Sequence, residues 1–296
     1  MHYLKAALTS VILLFSTAGL ATVLGVWTLE KAVLRGSRKA KVHQRMDRII
    51  IAWTSINRRT INVLNLVQAK VHWHNRPDLS PNQWYLVISN HQTWTDILLL
   101  QTYLLDDIPP LKFFTKAQLI WIPFLGLAMK ALGFPYVKRV TRKQVKQDPE
   151  LRFADRDNVR KACEGFKNHP TSVLNFLEGT RNTADKHEHQ RSEFTHLLRP
   201  KVGGINYIID GMGQHLHRLV DVTIVYHDGV PSFTDFLQGK CGRVEIDVKS
   251  HPVPDLSNIT DDSARKAAVA KWLHTLWQEK DQLIGQLTHS TQPNQI

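Results

Sequence analysis

The chain has 296 residues, 43% of them hydrophobic, which is ample for a large buried core and excludes a disordered chain. A formal net charge of +12 favours an anionic partner, whether nucleic acid, lipid headgroups or a phosphorylated substrate, and does not choose among them. The two cysteines, Cys163 and Cys241, stand far apart without a CxxC, so neither a disulfide framework nor a thiolate metal site is indicated, and a reducing compartment fits.

Residues 6–29 carry no charge. As a helix they reach about 36 Å, enough to cross a hydrocarbon core of about 30 Å. The run is longer than the apolar region of a cleaved signal peptide, and its small-residue site at Ser16 and Ala18 falls in mid-run, so a retained anchor is expected. Lys31, Arg35, Arg38, Lys39, Lys41, Arg45 and Arg48 follow against Glu30 and Asp47, which places that flank on the cytoplasmic side. A hairpin dipping into one leaflet is the other geometry.

Apolar residues then recur at near-helical period from Ile49 to Val71, predicting an amphipathic helical segment over 49–80 after an anchor and basic flank over 1–48. Turn formers in Asn75 to Asn82 mark the entry to a main domain over 81–250. There, short apolar runs predict strands at 84–89, 172–176, 219–226 and 242–248, separated by helical patterns at 96–105, 118–132 and 157–167. This alternation predicts an α/β fold with a mostly parallel sheet flanked by helices, behind an N-terminal transmembrane or membrane-embedded helix. A C-terminal helix closes the chain within 251–296, with Val269, Trp272, Leu273, Leu276, Trp277 and Ile284 on one stripe, expected to pack on the domain.

At the end of the first strand of that domain, Tyr85-Leu86-Val87-Ile88 gives way to Asn90-His91, and Asp96 follows. In a chain with 15 histidines chance supplies such a spacing, so only its place directly after a strand and before an apolar helix gives it weight. With His91 in the turn and Asp96 in the first turn of a helix, the carboxylate holds one ring nitrogen and leaves the other for a substrate. That makes a general base, or else the histidine simply caps its neighbouring helix. No GxSxG elbow accompanies it, so the nucleophile is expected to be a substrate hydroxyl. At the end of strand 172–176, Glu178, Gly179, Thr180 and Arg181 bunch together, which reads as an anion pocket or as a plain turn. Between the two, the apolar stretch from Lys116 to Arg139 is bracketed by cations and suits a molecule with an acyl tail and a phosphate head, or an ordinary buried helix.

In this order the motifs resemble the glycerolipid acyltransferases of the 1-acyl-glycerol-3-phosphate acyltransferase type, bacterial inner-membrane members included. Four blocks carry the resemblance: Asn90-His91…Asp96; Lys116, Pro123, Gly126, Gly133 and Arg139; "FLEGTRN" from Phe176; and "VDVTI" from Val220. The resemblance implies transfer of a fatty acyl group from acyl-CoA or acyl-carrier protein to the free hydroxyl of a lysophospholipid at the cytoplasmic face. His91 is then the base and Asp96 its orienting partner. Glu178, Gly179, Thr180 and Arg181 bind the glycerol phosphate, Lys116 and Arg139 assist, and Lys201 adds an anion contact. No cofactor or metal is implied, and no nucleic acid.

Three positions depart from the family pattern: Leu177 and Asp221 replace prolines, and Asn182 replaces a serine. They point to a divergent branch whose acceptor differs, lysophosphatidylglycerol for example. A thioester hydrolase using the same base on water, and a non-catalytic binder of anionic lipid or nucleic acid, are the rival classes. The His-x-His pairs 72/74, 187/189 and 215/217 lack an evident third metal ligand and read as solvated histidines.

Overall fold

The computed structural model describes residues 1–137 and 151–290, apart from the side chains of residues 36, 37, 39, 40, 43, 44, 151–156 and 290. Its centre is a six-stranded sheet in the order β1-β8-β7-β2-β6-β3. The strands are β1 (Gln68–His74), β2 (Trp84–Ser89), β3 (Leu111–Phe113), β6 (Ser172–Phe176), β7 (Leu216–Tyr226) and β8 (Arg243–His251). Strands β7, β2, β6 and β3 run parallel, β8 is antiparallel to β7, and β1 runs parallel with β8. The two-stranded pair β4 (Thr115–Lys116) and β5 (Tyr136–Val137) lies apart.

Alternation along the strands divides the core. Leu86, Ile88, Val173, Leu219 and Val225 face helices α5 (Leu151–Phe166), α7 (Gly203–Met212) and α9 (Asp262–Ser290), with the short helices α6 (Ala184–Gln190) and α8 (Phe233–Gln238) falling between them in chain order. Tyr85, Val87, Leu174, Val220, Val222 and Ile224 face the other way, towards α3 (Thr95–Leu104). Strands buried on both faces read as nearly continuous apolar runs, which is why 84–89 and 219–226 were visible in the sequence.

The expected helical segment 49–80 needs correction. Helix α2 runs from Gly36 to Val63, so it already contains most of the basic flank, and Gln68–His74 is a strand paired residue for residue with β8. Val67 and Val71 mimic a helical step, but Val71 and Trp73 alternate with Lys70, His72 and His74, and that period of two prevails once β8 offers a hydrogen-bonding edge. The sheet domain therefore begins near residue 68 rather than 81. The expected helix 118–132 is also divided: a 3-10 turn, Ala117–Trp121, precedes α4 (Leu125–Ala131), with Pro123 and Phe124, at φ +61, between them.

Helix α1 (His2–Val33) is long and apolar enough to cross a membrane. It packs with α2 and α4 through Leu24, Val42, Met46, Ile49, Ile50, Met129 and Leu132, and exposes Leu4, Leu8, Val11, Leu14, Phe15, Val26 and Leu29. Asp47 of α2 ties this assembly to the sheet, 3.0 Å from Lys112 Nζ and 2.8 Å from His169 Nε2.

Candidate active site

Three adjacent parallel strands, β7, β2 and β6, end at one place, and the carboxyl ends of such strands are where an α/β sheet receives ligands. Tyr226 closes β7, Asn90 and His91 follow β2, and Phe176 closes β6. Asn90 fixes the turn to β7: its side-chain amide donates to Ile224 O at 2.8 Å and its carbonyl accepts from Ile224 N at 2.9 Å.

His91 lies in the turn and Asp96 in the first turn of α3. His91 Nδ1 is 2.9 Å from Asp96 Oδ2. A carboxylate can only accept, so Nδ1 carries the proton and Nε2 keeps its lone pair. The same Oδ2 also accepts from the backbone amides of Gln92 at 2.6 Å and Thr93 at 3.0 Å, while Oδ1 accepts from the Tyr226 hydroxyl at 2.7 Å. Asp96 is fully buried, and burial beside its charge pushes the Tyr226 phenol well above its ordinary value, keeping it a donor. Phe176 stacks on the His91 ring at 3.9 Å between centroids, so the imidazole is held on its edge and its face.

Glu178 behaves differently from expectation. It is fully buried, with Oε1 accepting from His91 N at 2.7 Å and Oε2 from Leu198 N at 3.1 Å. Both oxygens are spent on backbone amides, so its assignment as a phosphate contact is corrected: it braces the histidine turn. Burial pushes its carboxyl up to about 7, against the two amides that favour the ionised form. Gly179 adopts φ +65, a conformation that favours glycine, and the Lys201 side chain passes close over it.

Arg181 is exposed at the mouth, its guanidinium 5.5 Å from the centre of the Trp94 ring. Thr180 Oγ1 accepts from Lys186 Nζ at 3.0 Å, and Lys186 also donates to Arg181 O at 2.8 Å. Lys186, like Trp94 and Tyr226, was not anticipated. Its only sequence signal is a cation five residues after Arg181. Lys116 stands exposed on β4 and makes no hydrogen bond or ion pair with these groups among the described residues, while Arg139 lies outside them. Among the described residues no three His, Cys, Asp or Glu side chains form a metal-binding group. Two of the His-x-His pairs have other work: His74 pairs with Asp247 at 2.7 Å and His187 with Phe194 O at 2.8 Å.

The three departures from the family pattern are engaged within the fold. Leu177 is buried, Asn182 donates from its side chain to His196 O at 2.9 Å, and Asp221 lies 2.6 Å from the buried Lys280.

A half-buried histidine held by a fully buried aspartate at the carboxyl ends of parallel strands, with Arg181 and Lys186 close by, defines an α/β enzyme with a general base at its centre. The family model described as Acyltransferase matches residues 70–227, more than half of the chain, and the chain belongs to that family, an O-acyltransferase. Over 99% of its length it is 26% identical to 1-acyl-sn-glycerol-3-phosphate acyltransferase epsilon of Mus musculus, covering 80% of that protein. Against the gamma enzyme of Mus musculus it is 26% identical over 58% of this chain and 44% of the relative, so it spans less than half of that protein. Its fold is similar to the crystal structure of the 1-acyl-sn-glycerophosphate acyltransferase PlsC from Thermotoga maritima, with a TM-score of 0.55, 17% identity, and 96% and 98% of the two chains covered.

Proposed function

We propose that this enzyme transfers a fatty acyl group from acyl-CoA or acyl-carrier protein to the free hydroxyl of a lysophospholipid, 1-acyl-glycerol-3-phosphate, giving phosphatidic acid. The observation that carries the reading is the orientation of His91: Asp96 holds Nδ1–H, and Nε2 is left to accept the hydroxyl proton. As that proton moves to Nε2, the substrate oxygen bonds to the thioester carbonyl carbon. The tetrahedral intermediate collapses with cleavage of the C–S bond, and the imidazolium returns the proton to the departing thiolate. A thioester is already an activated donor, so no acyl-enzyme is required. Asp96 stabilises the imidazolium between these steps. Arg181, Lys186 and Thr180 receive the phosphate, the guanidinium offering a planar fork to two of its oxygens.

Both substrate and product are lipids, and the outside of the molecule suits a membrane surface. Helix α1 is fixed to the domain near both ends, by His2 Nδ1 at 3.0 Å from Gln238 O and by Leu24 within the cluster of α2 and α4. A helix about 48 Å long held this way lies along the domain, which favours immersion of its outward face in one leaflet over a free crossing. Trp121, 85% exposed, with Phe124 and with Leu127 of α4, extends that apolar surface. The cations of α2 favour the cytoplasmic leaflet, and a bacterial inner membrane is the setting proposed.

The test is acyl transfer by purified enzyme in anionic vesicles, with one thioester donor at a time and a panel of lysolipids. The reading expects phosphatidic acid from 1-acyl-glycerol-3-phosphate, with little free fatty acid. Fatty acid released equally fast without lysolipid would make the protein a hydrolase.

A further inference from the structure

The family match ends at residue 227, and α9 lies beyond it. Yet α9 reaches the catalytic turn through two chains of single hydrogen bonds. Trp277 Nε1 donates to Leu198 O at 2.9 Å, Leu198 N donates to Glu178 Oε2 at 3.1 Å, and Glu178 Oε1 accepts from His91 N at 2.7 Å. One turn of helix further, Asp281 accepts from Thr195 N at 2.9 Å and His196 N at 2.7 Å. His196 O accepts from the Asn182 side chain at 2.9 Å, and Asn182 N donates to His91 O at 2.6 Å. The two chains meet on the backbone N–H and C=O of the same residue.

Lys280, between the two anchoring residues, fixes α9 to the sheet. It is buried, donates to Val222 O at 2.7 Å and to Thr223 Oγ1 at 2.9 Å, and lies 2.6 Å from Asp221. All three departures from the family pattern belong to this assembly: Leu177 shares a core cluster with Trp277 and Leu197, Asn182 is a link in the second chain, and Asp221 is the partner of Lys280. A helix needed only to cover the sheet would bury apolar residues there. This one also spends an indole N–H, a carboxylate and an ammonium on the loop and strand that surround His91.

We propose that Asp281 and Trp277 of the C-terminal helix are positioning residues for acyl transfer, holding the 195–201 loop so that Glu178 and Asn182 fix the backbone of His91. This rests on the assignment of His91 as the base. A displaced imidazole loses alignment with the hydroxyl, and misplacement by about 1 Å costs up to a hundredfold in rate. The side chains proposed to receive the phosphate, Thr180, Arg181 and Lys186, do not lie in either chain, so lipid binding is spared.

The test compares kcat and KM for 1-acyl-glycerol-3-phosphate in Asp281→Ala, Asp281→Asn, Trp277→Phe and Val269→Ala, with melting temperatures. Val269 is a buried α9 residue two turns from Trp277 and outside both chains, so it reports destabilisation of the helix alone. Asp281→Ala is expected to lose between about tenfold and a hundredfold in kcat, with KM within about threefold. Asp281→Asn, which keeps one acceptor, and Trp277→Phe, which keeps the packing, should lose less, and Val269→Ala should stay within about twofold once folded. Wild-type kcat in Asp281→Asn and Trp277→Phe, or an equal loss in Val269→Ala at matched melting temperature, would overturn the inference. Full activity in His91→Ala would instead overturn the base assignment on which it rests.

Discussion

Tyr226 and Asp96 are joined by a hydrogen bond of 2.7 Å from the phenol to Oδ1, on the carboxylate oxygen that His91 does not use. The aspartate is thereby gripped from both sides, by β7 and by the catalytic turn. Tyr226→Phe leaves a buried carboxylate oxygen without its donor, at a cost of about 1.5–3 kcal/mol. Denaturant unfolding should show that loss. Steady-state assays should show kcat reduced by about tenfold with little change in KM, because the orientation of His91 suffers and the phosphate contacts do not.

The Arg181–Trp94 pair should govern binding rather than turnover. Trp94 is 45% exposed, and an exposed cation–π contact is worth about 0.5–1 kcal/mol, so Trp94→Ala should raise the lysolipid KM about two- to fivefold. Arg181→Lys keeps the charge but loses the planar fork. It should raise KM by about tenfold or more while kcat changes less. Initial-rate measurements over a range of lysolipid mole fraction in vesicles separate the two effects.

Glu178 makes a pH-dependent contribution whose sign follows from its burial. Its carboxyl is raised from the ordinary value of 4.5 to about 7 in the fold. The stability it contributes is present in full below 4.5 and is lost as pH rises through 7, by an amount on the order of 3 kcal/mol. Chemical denaturation at several pH values between 4.5 and 7.5 should show this decline in the wild type and a flatter profile in Glu178→Gln. The slope is the comparison that matters, since glutamine also places an amide against one of two backbone N–H groups and lowers stability at every pH.

Lys280 and Asp221 form a buried pair whose members depend on each other. Burial pushes the Lys280 ammonium below its ordinary value, against the attraction of Asp221, Asp247 and Glu178. Lys280→Met should strand the Asp221 charge and destabilise by about 3–5 kcal/mol. Adding Asp221→Leu removes that charge and should recover most of the loss. A thermodynamic cycle on the two single variants and the double variant measures the coupling.

The sequence made some of this legible because local patterns coincide with the fold. Residues 84–89 and 172–176 are apolar runs ending at polar turns, so their strands and the positions of His91 and Glu178 could be read directly. Strand β1 was hidden because Val67 and Val71 fit a helical step, and only the distant edge of β8 makes the alternating pattern decisive. Tyr226 was hidden for a similar reason: 130 residues separate it from Asp96, and nothing near it in the chain marks a buried donor. Glu178 was assigned to the mouth because motif residues were taken to share one direction, whereas the turn at Gly179 sends it inward and Arg181 outward.

The central claim is that His91 takes the proton of the lipid hydroxyl. The most direct measurement is the acyl-transfer rate of His91→Ala beside wild type, with lysolipid binding to the same vesicles measured in parallel. The account predicts a loss of at least about a hundredfold to ten-thousandfold in transfer with binding kept within a few fold. Transfer by His91→Ala within about tenfold of wild type would contradict it.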